Sequence, residues 1–146
     1  MGFDELAVQL MDEMRSLHNI KPQQQINEAF RGEAFIIDYI ANRQGDVLPS
    51  EIGQVMDVSS ARVANALNNL EKKELITRRI DTEDRRCIVC ELTKKGHQLA
   101  QQHHQMMQEV ISKMLSSLGE DDAKEYVRIM SKLAKSLPGC EELKEC

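Results

Sequence analysis

Two kinds of residue in this chain could do chemistry, and the chemistry of the first kind would suit contact with base edges. Ser60, Ala61, Arg62, Asn65 and Asn69 fall at helical spacing opposite the apolar row Val63, Leu67 and Leu70. A guanidinium pairs bidentately with guanine and a carboxamide with adenine, each good pair discriminating by about 1–3 kcal/mol. The plain alternative is the solvated side of an amphipathic helix. Downstream, Arg85 and Arg86 sit in a turn-forming run, where a protruding arginine suits a narrow minor groove and, failing that, keeps a hairpin soluble. Lys72, Lys73 and Lys94 are phosphate contacts or solvated surface, contributing affinity without sequence information. Asp84 repels phosphate, so its expected work is to accept hydrogen bonds from Arg78, Arg79 or Arg86 and hold the hairpin.

The second kind is thiols and imidazoles. Cys87-x-x-Cys90 has the look of a metal or redox pair, but on a regular strand that spacing puts the thiols on opposite faces. His97 and His104 lie about 10.5 Å apart along a helix, and His103 and His104 diverge by about 100°. A zinc site would need His18, Glu28 or Glu33 from other helices. No metal or cofactor is therefore expected. No Ser-His-Asp or Cys-His order and no phosphate-cradling glycine loop is present, so no enzyme is expected.

The elements that must position these groups are mostly helical. Phe3, Ala7, Leu10, Met14 and Leu17 draw a narrow stripe along a first helix, and Gln23–Gln25 read as a polar connection after Pro22. Phe30, Ala34, Ile37, Ile40 and Ala41, widened by Phe35 and Ile36, mark a central helix that ends at Gln44-Gly45-Asp46. Ser50 is placed to cap a short helix carrying Ile52, Val55 and Met56, and Ser59 or Ser60 to cap the next. Gly53 and Val63 occupy the close-approach positions of a helix-turn-helix, while Asp57 stands where glycine is usual. Ile76, Arg78 and Ile80, then Ile88, Cys90 and Leu92, alternate as two strands of a hairpin, a wing. A long helix capped by Thr93 follows, with Leu99, His103, Met106, Val110 and Met114 in its stripe. A last helix begins after Gly119 and stops at Pro138-Gly139.

Composition agrees with this outline. In 146 residues there are 8 Met, 5 aromatics, 7 Gly and 3 Pro, the palette of packed helices rather than of a β-sandwich. No apolar run is long enough for a membrane span and the start is acidic, so a cytoplasmic protein with free thiols at Cys87, Cys90, Cys140 and Cys146 is expected. The net charge of −5 disfavours nucleic acid, yet residues 59–86 carry seven basic against five acidic side chains, a local +2.

Residues 84–96, DRRCIVCELTKKG, carry the pattern D-x-R-x5-L-T-x-x-G at every fixed position, and Leu70–Ile76 is close to L-E-K-K-G-L-V with Glu74 in place of glycine. In these motifs and in element order the chain resembles the MarR family of bacterial transcription regulators. The resemblance implies a mainly α fold with a small β-hairpin wing: a winged helix-turn-helix over about 30–96, dimerisation helices over about 1–20 and 97–137, and a flexible tail over 138–146, all in a single domain. It implies a homodimer on a pseudo-palindromic operator in double-stranded DNA, with Arg86 at the wing tip. It also implies a repressor whose affinity changes when a small aromatic or anionic effector binds beside the dimer helices; Phe30, Phe35 and Tyr39 are candidates to edge that pocket and are otherwise plain core. Two other readings stay open: a winged-helix protein-interaction module without specific DNA binding, and a zinc-dependent regulator using His103 or His104.

Overall fold

A computed structural model describes residues 2–138; the expectations for the tail, including Cys140 and Cys146, lie outside the described residues. Its elements in chain order are α1 (Phe3–His18), α2 (Lys21–Ala29), α3 (Gly32–Asn42), α4 (Pro49–Met56), α5 (Ser60–Lys72), β1 (Ile76–Ile80), β2 (Ile88–Leu92), α6 (Lys94–Ser116) and α7 (Glu120–Ser136). The fold is mainly α with one antiparallel hairpin, paired from Ile76 with Leu92 to Ile80 with Ile88.

The core forms where the broad stripe of α3 meets the helix pair and the hairpin. Ile36, Ile37, Ile52, Val63, Leu67, Leu70, Ile76 and Cys90 are among its buried members, and α6 adds Ala100. Each large aliphatic side chain so buried is worth about 1.5–3 kcal/mol, which fixes α4, α5 and the wing on the central helix.

The turn of the helix-turn-helix is built as its residues dictate. A Cβ on Gly53 would stand 3.4 Å from Val63 Cγ2, so α4 and α5 cross closely, at a separation where a methyl group would just make van der Waals contact. Asp57 takes the left-handed conformation at φ 54° that ends α4, and Ser59 Oγ caps α5 by accepting from the Arg62 amide at 3.2 Å. Glu74 likewise stands at φ 62°, where α5 hands over to β1.

The L-T-x-x-G stretch ties the wing to the long helix. Thr93 Oγ1 accepts from the Gly96 amide at 3.0 Å and donates to the Glu74 carbonyl at 2.7 Å, and the Thr93 amide donates to the Leu75 carbonyl at 3.0 Å. A Cβ on Gly96 would lie 2.1 Å from that same Leu75 oxygen, so the first turn of α6 abuts the start of β1 with no room for a side chain.

Several local expectations need correction. The Gln23–Gln25 connection is helix α2: Pro22 lies in its first turn, where a missing amide costs nothing, and glutamine is a good helix former. Ser50 does not cap α4, because Leu48 holds the cap position and Pro49 the first turn; its Oγ is buried without a hydrogen-bond partner. The two strands do not simply alternate, since Val89 and Cys90 are both buried while Ile80 and Ile88 are exposed. Cys90 is covered because its amide donates at 2.8 Å to the carbonyl of Val47, which adds one bridge to the hairpin's edge.

The outer helices contrast with this core. Neither α1 nor α7 buries a single residue, and Leu6, Leu10, Met14, Leu17, Ile129 and Leu133 are about half exposed or more. Among the described residues no helix is long and apolar enough to cross a membrane.

Candidate nucleic-acid interface

The first turn of α5, the candidate reading helix, sets the candidate surface. With Val63, Leu67 and Leu70 turned into the core, Ser60, Ala61, Arg62 and Asn65 face solvent and Asn69, a turn further on, is half-buried. Among the described residues Arg62 and Arg85 make no ion pair, so both guanidiniums keep their donors for another partner. Lys72 and Lys94 are exposed, at the end of α5 and the start of α6. Lys73 is already engaged: its Nζ pairs with Glu33 at 3.0 Å.

The wing tip is shaped by two aspartates. Asp81 accepts from the Glu83 amide and Asp84 from the Arg86 amide, each at 3.1 Å, giving consecutive side-chain turns. Asp84 also accepts from Arg86 Nε at 3.2 Å, while the Arg86 side chain stays 87% exposed. That guanidinium and the Arg86 amide hold the Asp84 carboxyl below the usual carboxylate range. The pair thus aims an arginine outward without covering it.

Of the three arginines offered as partners for Asp84 the structure uses Arg86; Arg78 and Arg79 pair elsewhere. Arg78 turns back to α5, donating to Asn68 Oδ1 at 2.7 Å and to Glu71 at 3.0 Å; the guanidinium lowers the Glu71 carboxyl pKa. Arg79 bridges Glu91 at 2.7 Å and Asp46 at 3.1 Å. Arg78 therefore fastens the wing to the reading helix and Arg79 braces the hairpin to the loop before α4. Asn68, Glu71, Asp46 and Glu91 escaped sequence reasoning, because the seven residues from Glu71 to Arg78 pass through the left-handed Glu74 and the spacing carries no periodic signal.

A second tether joins α3 to α4. Glu51, 4% exposed, accepts from Tyr39 Oη at 2.5 Å and from Arg43 Nε at 2.8 Å. Burial, then the Glu51 hydrogen bond, pushes the Tyr39 phenol up to about 12.

Two cavities flank this frame. One, of about 600 Å³, lies beside the reading helix, with Phe30, Phe35, Met56, Arg62 and Asn65 in its wall. The other, of about 760 Å³, lies between α2, α3 and α6, with Phe30, His103 and His104 in its wall. Phe30 borders both and Phe35 the first, while Tyr39 lines neither; it stacks on Phe35 at 6.0 Å between ring centres and serves the tether to Glu51.

The thiols differ from the free pair expected. Cys87 precedes β2 instead of lying on it and is disulfide-bonded, whereas Cys90 is a free, buried thiol that burial pushes up to about 11. Among the described residues no group of three or more His, Cys, Asp and Glu could hold a metal ion.

Comparison with known proteins places this geometry. Residues 37–88 match the MarR family, a span from α3 to the wing. The uncharacterized HTH-type transcriptional regulator YwhA of Bacillus subtilis is 28% identical over 92% of this chain and 100% of its own length. The HTH-type transcriptional repressor MdtR of the same organism is 31% identical over 64% of this chain and 61% of its own. Among solved structures, Streptococcus pneumoniae FabT in complex with DNA superposes with a TM-score of 0.66 at 23% identity, covering 92% of this chain and 96% of that one. The curated relatives are transcription regulators, a class without catalysis.

Proposed function

Because residues 37–88 match the MarR family and the relatives it resembles are transcription regulators, we propose that the chain is a MarR-family, homodimeric, sequence-specific DNA-binding transcription regulator, a repressor relieved by a small-molecule effector. The observation that carries the reading is the pairing of an exposed α5 first turn, with Arg62 unpaired, and an outward Arg86 held at the wing tip by Asp84. A helix in the major groove and an arginine in the adjoining minor groove are what those two surfaces fit. Ser60, Ala61, Asn65 and Asn69 belong to the reading helix, Arg85 to the wing, and Lys72 and Lys94 to the phosphates. Lys73 joins them only by exchanging Glu33 for phosphate.

The unburied apolar faces of α1 and α7 support dimerisation, since a monomer gains nothing from exposing them to water. Repression follows from likeness to relatives such as MdtR. The effector's place is the cavity between α6 and the winged core, where occupancy can favour one separation of the two reading helices over another.

Selection of binding sites from genomic fragments by the purified chain tests this reading. The expected outcome is one enriched motif with two related half-sites, and an Arg62→Ala chain that stays dimeric but relaxes base preference at one position per half-site, by about 1–3 kcal/mol. No enriched sequence would overturn it in favour of a protein-interaction module.

A further inference from the structure

The exposed stripe of α5 runs through Ala61, Asn65, Asn68 and Lys72, spaced four, three and four residues apart and opposite the buried Val63, Leu67 and Leu70. Asn69 stands off that stripe, half-buried in the wall of the cavity beside the helix. Asn68 is therefore the carboxamide that continues what Asn65 begins, about two turns on from Ala61 and within the span over which a helix lying in a groove meets bases. The two carboxamides are held differently. Among the described residues that of Asn65 has no hydrogen-bond partner. Asn68 Oδ1 accepts from Arg78 Nη2 at 2.7 Å, and Arg78 is itself fixed by Glu71, to which its Nε donates at 3.0 Å. A guanidinium only donates, so the oxygen is the atom of Asn68 that turns to the wing and Nδ2 is the atom left over. Among the described residues the two N–H groups of that nitrogen make no bond.

We propose that Asn68 is a further specificity-determining residue, with Arg78 as its positioning residue, and that the base it meets is read by donors alone. Adenine presents an acceptor beside a donor, N7 and the N6 amine, and takes a carboxamide whose oxygen and nitrogen both face it. Guanine presents two acceptors, N7 and O6. With its oxygen held by the wing, Asn68 matches guanine and leaves the adenine amine without an acceptor, whereas the unheld Asn65 keeps the adenine match. The inference deepens the DNA reading above and rests on it.

The full chain and two variants each select sites from random duplex DNA, and the enriched half-sites are aligned. The parent chain is expected to favour guanine over adenine by about tenfold at one position per half-site that depends on Asn68. Asn68→Ala should level that position and leave the rest of the motif unchanged. Asn68→Asp keeps the oxygen that receives Arg78 and replaces the N–H groups with an acceptor, so the same position should turn to cytosine, whose N4 amine donates. A residue that only fastened the wing would give neither result, since Asp preserves the fastening and Ala would weaken binding to every sequence alike. If the charge of Asp abolishes binding, Asn68→Ala decides. The two failures are distinguishable. A parent chain that enriches no motif overturns the DNA reading and this inference with it. A parent motif whose base preferences Asn68→Ala leaves unchanged, or whose Asn68-dependent position favours adenine, overturns this inference alone.

Discussion

At the residue scale, side chains here are fixed by what crowds them or pairs with them. Gly96 is the sharpest case: any Cβ would meet the Leu75 carbonyl at 2.1 Å, and that carbonyl also receives the Thr93 amide and cannot move freely. Gly96→Ala is expected to lower stability by about 1–3 kcal/mol or more, as overpacking against fixed backbone does, visible as a lower Tm. Tyr39 gives a pH signature. Its folded pKa of about 12 lies above the ordinary 10, so its contribution is complete below pH 10 and disappears as pH rises through 12. Stability should therefore fall across that window, and Tyr39→Phe should flatten the fall in alkaline denaturation curves. The motif glycine was legible in the sequence as a motif; its cause, a carbonyl twenty-one residues earlier, was not, because spacing says nothing of which strand a helix end meets.

At the element scale, connections decide how the reading helix is held. Two of them use left-handed residues that are not glycine, Asp57 and Glu74. A side chain in that region costs on the order of 1–2 kcal/mol, less for Asp, whose short polar group tolerates it. Glu74→Gly is expected to raise stability by about 1 kcal/mol in thermal or urea unfolding, with a smaller gain for Asp57→Gly. The helices α3, α5, α6 and α7 were plain in the sequence because their apolar rows are periodic. The element missed was α2, whose glutamines look like a linker until tertiary contact with α6 is known. The wing was legible from its turn residues, whereas its fastening to α5 through Arg78, Asn68 and Glu71 was not. Those three lie on different elements and meet only after the chain turns at Glu74.

At the scale of the whole molecule, the contrast is between a winged core that buries its aliphatic residues and outer helices that bury none. Apolar surface on those two helices is the face on which the proposed dimer rests. A charge placed within it, as in Leu133→Asp, is expected to shift sedimentation from dimer to monomer at micromolar concentration while the far-ultraviolet helical signal persists. A chain that sediments as a monomer before substitution would remove the dimer from the account. The site's charge was only partly visible in composition: a net of −5 hides that Arg62, Arg85 and Arg86 all lie exposed on the reading pair and the wing.

The central claim, that α5 and the wing read DNA, is tested most directly by titrating labelled fragments carrying the selected motif with the full chain across a salt series, with unrelated DNA as competitor. The account predicts saturable binding that survives competitor and weakens by about 10³–10⁵ between 50 and 200 mM salt if some 6–10 phosphates are contacted. Binding that is absent, or that unrelated DNA erases as well as the motif does, would contradict it.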